Sequence, residues 1–69
     1  MKFNPFDVVE LTVDFPEYGI TAGSTGTIVD VYSDGEYEVE ITSDAGDTLE
    51  CFAVTPEQIK PARRLEATA

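Results

Sequence analysis

Histidine and tryptophan are absent from this 69-residue chain, and cysteine, lysine and arginine are scarce. Without His there is no Ser–His or Cys–His nucleophile pair. One Cys and no His give neither an intrachain disulfide nor a zinc site. No apolar run approaches the roughly 18 residues that a membrane helix needs. The opening MKFNPFDVVE carries acids where a signal peptide needs an apolar stretch, so a cytoplasmic protein is expected. The four basic residues are Lys2, Lys60, Arg63 and Arg64, and none lies from Phe3 to Ile59. Thirteen of the 14 acids fall in that stretch, Glu66 being the exception. A body of this sign has nothing to neutralise phosphates, which argues against direct nucleic-acid binding, and anionic membranes repel it.

A chain this short holds one domain and buries only about 60% of its unfolded surface, so it rests on a small, dense core. Its 42% hydrophobic content suffices for that and argues against disorder. Residues 1–62 are expected to form the domain and residues 63–69 a flexible tail.

The pattern is all-β. Phe6 to Val13 reads as a strand with Val9, Leu11 and Val13 on one face, followed by a long structured loop from Asp14 to Gly23. Thr25 to Tyr32 is a second strand. Ser33-Asp34-Gly35-Glu36 signals a hairpin with Asp34-Gly35 as its two central residues. Tyr37, Val39 and Ile41 alternate with Glu36, Glu38 and Glu40, which is a half-buried strand with a polar face of glutamates. Thr48 to Val54 is a fourth strand after a three-residue loop, Asp44-Ala45-Gly46. Thr55-Pro56-Glu57-Gln58 makes one helical turn, with Thr55 capping and Pro56 at its first position. Ile59 to Ala62 is a short last strand. Five strands with a helical turn before the last describe a small five-stranded SH3-like barrel.

The turns imply a register. Thr42 falls opposite Thr48, Ile41 opposite Leu49, Val39 opposite Cys51 and Tyr37 opposite Ala53, which makes Cys51 a core residue. The other face then pairs Glu40 with Glu50 and Glu38 with Phe52. The preceding hairpin sets Tyr32 opposite Tyr37 and Val31 opposite Glu38. It also turns Asp30 inward unless a β-bulge near Val29-Asp30 rotates it out, and that bulge is expected.

Asp7-Val8-Val9-Glu10-Leu11, Pro16-Glu17-x-Gly19, Ala22-Gly23-x-x-Gly26-Thr27-Ile28-Val29, Val31-Tyr32-x-x-Gly35-x-Tyr37-Glu38-Val39-Glu40, Val54-Thr55 and Gln58-x-x-Pro61 together resemble one family. It consists of short bacterial proteins catalogued as a domain of unknown function, whose members resemble SH3-like barrels. The resemblance runs from Phe6 to Pro61 and implies a fold. It carries over no catalytic residue. A gene neighbour in some members implies a two-protein module of antitoxin or immunity type. Gly23-x-x-Gly26-x-Ile28 also resembles the KOW-type turn. A looser similarity is to the SH3-like accessory subunits on the stromal side of photosystem I. Those dock an acidic carrier through basic residues, which this chain lacks between Phe3 and Ile59.

No phosphate loop or carboxylate pocket is visible, so no enzyme and no cofactor are expected. Asp34, Asp44 and Asp47 are hard-oxygen donors but too few for a calcium loop, so no metal is expected either. The glutamate row is the strongest candidate for function. Residues two apart on a strand lie about 7 Å apart, which lines up Glu36, Glu38 and Glu40. With Glu50, Phe52 and Val31 assigned to the same face, they form an apolar strip rimmed by acids. Phe15 and Tyr18 in the first loop repeat the aromatic-plus-acid theme. These eight residues are the candidate surface for a basic protein partner, with the protein monomeric or weakly associated. An antitoxin-type neutraliser of a cognate protein and an accessory subunit of a larger complex are the alternatives.

Overall fold

β-branched and aromatic residues at alternating positions form pleated, half-buried strands here. The structure, a computed structural model, describes residues 2–43 and 45–62. The strands are β1 (Val8–Leu11), β2 (Thr25–Val31), β3 (Tyr37–Thr42), β4 (Thr48–Val54) and β5 (Ile59–Pro61). They form one antiparallel sheet in the order β4-β3-β2-β1-β5. This is the all-β, five-stranded SH3-like arrangement expected from the sequence. A 3₁₀ turn, Pro16–Tyr18, lies in the β1–β2 loop, and a second, Pro56–Gln58, links the two edge strands β4 and β5. Gln58 closes the second turn by accepting the Thr55 backbone N–H at 2.9 Å. The predicted tail, residues 63–69, and Asp44 lie outside the described residues.

The core holds Val9, Leu11, Ile28, Val39, Ile41 and Val54, each with 1% or less exposure. Burial of each contributes about 2 kcal/mol. Phe3, Phe15, Ile20, Tyr37, Phe52 and Ile59 surround them. Phe3 packs edge-on against Tyr37, and its backbone N–H donates to the Tyr37 hydroxyl at 3.1 Å. Val13 does not continue the inner face. β1 ends at Leu11, and Val13 is exposed.

Both hairpins depart from the expected register. The first has three loop residues, Ser33-Asp34-Gly35, with Tyr32 N–H bonded to the Glu36 carbonyl. Gly35 takes a positive φ, and Asp34 Oδ1 accepts the Glu36 N–H. Val31 therefore pairs with Tyr37 and Asp30 with Glu38. The expected bulge does occur, between Ile28 and Asp30, and leaves Asp30 exposed. In the second hairpin Thr42 does pair with Thr48, but a shift follows at once. Ile41 pairs with Glu50, Glu40 with Cys51, Val39 with Phe52 and Tyr37 with Val54. One extra residue, Leu49, turns β4 over. The core gains the larger pair, Phe52 and Val54, while Leu49 and Cys51 face solvent.

Candidate functional site

The β3 sequence dictates an acidic row. Tyr37, Val39 and Ile41 are buried, so the alternation directs Glu36, Glu38 and Glu40 to the opposite, outer face. β2 adds Asp30 directly across from Glu38, and β4 adds Cys51 directly across from Glu40. Tyr32 reaches the same face: its hydroxyl donates to Glu38 Oε1 at 2.9 Å. The Cys51 thiol donates to Glu38 Oε2 at 3.2 Å, and the Thr48 hydroxyl donates to Glu40 Oε2. Glu38 is thus clamped between two neutral donors. Its orientation is fixed by a hydroxyl and a thiol, with no cation among the described residues involved.

This setting explains two titration shifts. The Cys51 thiol is pushed up to about 11 by partial desolvation of the sulfur against the sheet. The hydrogen bond to Glu38 and the charges of Glu38, Glu40 and Glu50 add to it. The Tyr32 phenol is raised chiefly by its hydrogen bond to Glu38. Cys51 is therefore a protonated, weakly nucleophilic thiol at neutral pH.

The eight candidate residues do not form one surface. Glu36, Glu38 and Glu40 stay together on the outer face. Phe52 is only 6% exposed and belongs to the core, contrary to its expected place on the outer strip. Phe15, also buried, lies 4.8 Å from it, centroid to centroid, and Tyr18 stacks on it at 4.4 Å. These three rings close one end of the core, and Tyr18 is left 40% exposed. Glu50 pairs with buried Ile41, so it lies on the core-facing side of the sheet and not opposite Glu40. Val31 shares Tyr37's side of the sheet but is 42% exposed. Cys51, expected in the core, is on the outer face. The residues missed by sequence reasoning are Asp30, Tyr32, Thr48 and Cys51. The signal that locates Cys51 is the bulk of Phe52, which a small core takes in preference to Cys51 or Ala53.

Among the described residues no cluster of three or more His, Cys, Asp or Glu side chains is placed to hold a metal ion. Among them, too, no helix is long and apolar enough to cross a membrane. Comparison with curated proteins and with solved structures finds no match. The family model described as "Domain of unknown function (DUF4926)" matches residues 6–61, which span all five strands and both hairpins. The chain belongs to that family.

Proposed function

We propose that this protein is a non-catalytic docking module whose acidic outer face binds a basic protein partner. The observation that carries the reading is the convergence of Asp30, Glu38 and Glu40 on one face of β2 and β3. Hydroxyl and thiol donors hold Glu38 and Glu40 without supplying a counter-charge. Lys60, the one cation placed in a strand among the described residues, stands opposite Glu10 across β1 and β5, away from that row. Facing Asp30 and Glu38 costs about 0.5 kcal/mol in the free protein, and a partner's Lys or Arg removes that repulsion. Desolvated carboxylates at the centre of the interface select for cations, and the surrounding acids speed encounter.

The test is affinity capture from the native host, identification of the partner, and measurement of its Kd at low and high salt. Glu38→Lys with Glu40→Lys is expected to weaken binding by tenfold or more, on the order of 1.4 kcal/mol or above. The wild-type affinity is expected to fall with salt. Binding that survives the reversal at both salt concentrations refutes the proposal.

A further inference from the structure

Five described residues have a positive φ. Four are glycines and the fifth is Phe6, at φ 74°. Phe6 follows Pro5 in a turn closed by the Asp7 N–H bonding the Asn4 carbonyl at 3.1 Å. That is the position where such turns ordinarily place Gly or Asn. Phe6 N–H also bonds the Ile28 carbonyl at 2.7 Å, while Ile28 N–H bonds the Asp7 carbonyl at 2.9 Å. Two residues of one strand oppose one of the other, which is a bulge whose first residue is customarily glycine. Asp7 Oδ2 accepts the Asn4 N–H at 2.8 Å and locks the turn.

A bulky side chain in this conformation is a genuine outlier. Burial does not offset the strain, since Phe6 is 79% exposed, the most exposed of the large hydrophobic residues among those described. Glycine or asparagine would serve the turn better, so the fold gains nothing from Phe here. Val8, two residues on, is 51% exposed, and Val29, beside Ile28 in the β2 bulge, is 39% exposed. Val8 pairs with Thr27, which pairs with Glu40, so this apolar corner is continuous with the acidic row. Asp7 and Asp30 flank it in the sequence.

We propose that the Pro5–Phe6 turn presents Phe6 as the hydrophobic anchor of the interface with the basic partner. Phe6 enters an apolar pocket of that partner while Asp30, Glu38 and Glu40 meet its cations. This rests on the docking role proposed above. The occupant is a basic surface and not a second copy, because two bodies that each carry 13 acids and no base from Phe3 to Ile59 repel one another.

The test uses two short peptides of equal length and charge, one alternating Lys with Leu and one alternating Lys with Ser, titrated against the full chain by NMR. The wild type is expected to prefer the Leu peptide by about tenfold, with the largest shifts at Phe6, Val8 and Val29. Phe6→Asn and Phe6→Gly should abolish that preference and leave the urea midpoint unchanged or raised. The inference is overturned if both variants keep the preference, if both lower the urea midpoint, or if the shifts centre on Tyr18 and Leu49. It is also overturned by either of two other occupants. One is a self-association that Phe6→Asn removes, and the other is a Phe6 shift, without peptide, on changing Arg63, Arg64 and Leu65 together to Ser. Glu38→Lys with Glu40→Lys should weaken both peptides. If it does while the Phe6 variants keep the preference, the anchor fails and the docking role stands. If it weakens neither peptide, the docking role itself fails.

Discussion

The Cys51 thiol reports on the acidic face from inside the chain. At pH 8 a thiol with the ordinary value of 9.0 is about one-tenth thiolate, whereas one at about 11 is about one-thousandth thiolate. The hundredfold loss of thiolate is partly offset, because a more basic thiolate is a better nucleophile by up to about tenfold over two pKa units. Cys51 should therefore react with iodoacetamide, a neutral probe, roughly tenfold more slowly at pH 8 than the same residue in urea-unfolded chain. Solvent around this exposed sulfur moderates the effect, so the midpoint of the pH–rate profile is the firmer readout. It is expected near 11 in the wild type. Glu38→Ala, which removes both the acceptor and the nearest charge, should lower it toward 9.0, and added salt should lower it further by screening Glu40 and Glu50. The folded chain holds this proton more tightly than the unfolded chain does. The thiol's contribution to stability is thus full below about pH 9.0 and is lost as pH rises through about 11. A wild-type midpoint at 9.0, or one that Glu38→Ala leaves in place, would refute the assignment of Cys51 to the acidic face.

Two further predictions concern the sheet that holds this face. Gly26→Ala places a Cβ 2.6 Å from Ile41 Cδ1 and 3.0 Å from the Glu40 carbonyl oxygen. The overpacking should cost about 1–3 kcal/mol, and thermal melting should show a fall of several degrees. Ile41→Val in the same chain should recover part of that loss by removing Cδ1, and a neutral Gly26→Ala would contradict the close approach of β2 and β3. Phe52→Ala should cost about 3–5 kcal/mol, whereas Leu49→Ala should stay within about 0.5 kcal/mol in urea unfolding. Equal effects at the two positions would favour the register in which Leu49 faces the core.

The strands, the hairpins joining β2 to β3 and β3 to β4, and the acidic row on β3 were legible because two-residue alternation and turn residues mark them in the chain. Registers were not legible, because a bulge shifts every later pair by one and reverses the face that the rest of the bulged strand presents. β4 was the ambiguous case: Leu49-Cys51-Ala53 and Phe52-Val54 are both apolar sets, and only volume separates them. The first hairpin failed on turn length, since Asp34-Gly35 serves a two-residue loop and a three-residue loop with Gly35 last equally well. The bulge at Val29 was legible for a different reason. No register without it kept both Ile28 inside and Asp30 outside. Phe6 was invisible in the sequence, where Asn-Pro-Phe-Asp reads as an ordinary strand entrance. Its conformation emerges only from the bonds that tie it to Ile28.

Solubility alone would be served by acids placed anywhere on this surface. Instead, the β2 bulge sets Asp30 against Glu38, where like charges repel, and Tyr32 and Cys51 hold Glu38 in place. Beyond Thr27 on the same face Val8 leaves apolar area in water, and Phe6, two residues before it, leaves more and adds backbone strain. The repulsion, the exposed apolar area and the strain at Phe6 each lower the stability of a domain that has little to spare. The repulsion, the exposed apolar area and the fixed carboxylates share a single remedy, a surface that brings cations and an apolar recess together. Charge reversal on β3 and substitution of Phe6 should therefore both impair docking. Their effects on folding should not be adverse, because each relieves a strain that the free protein carries.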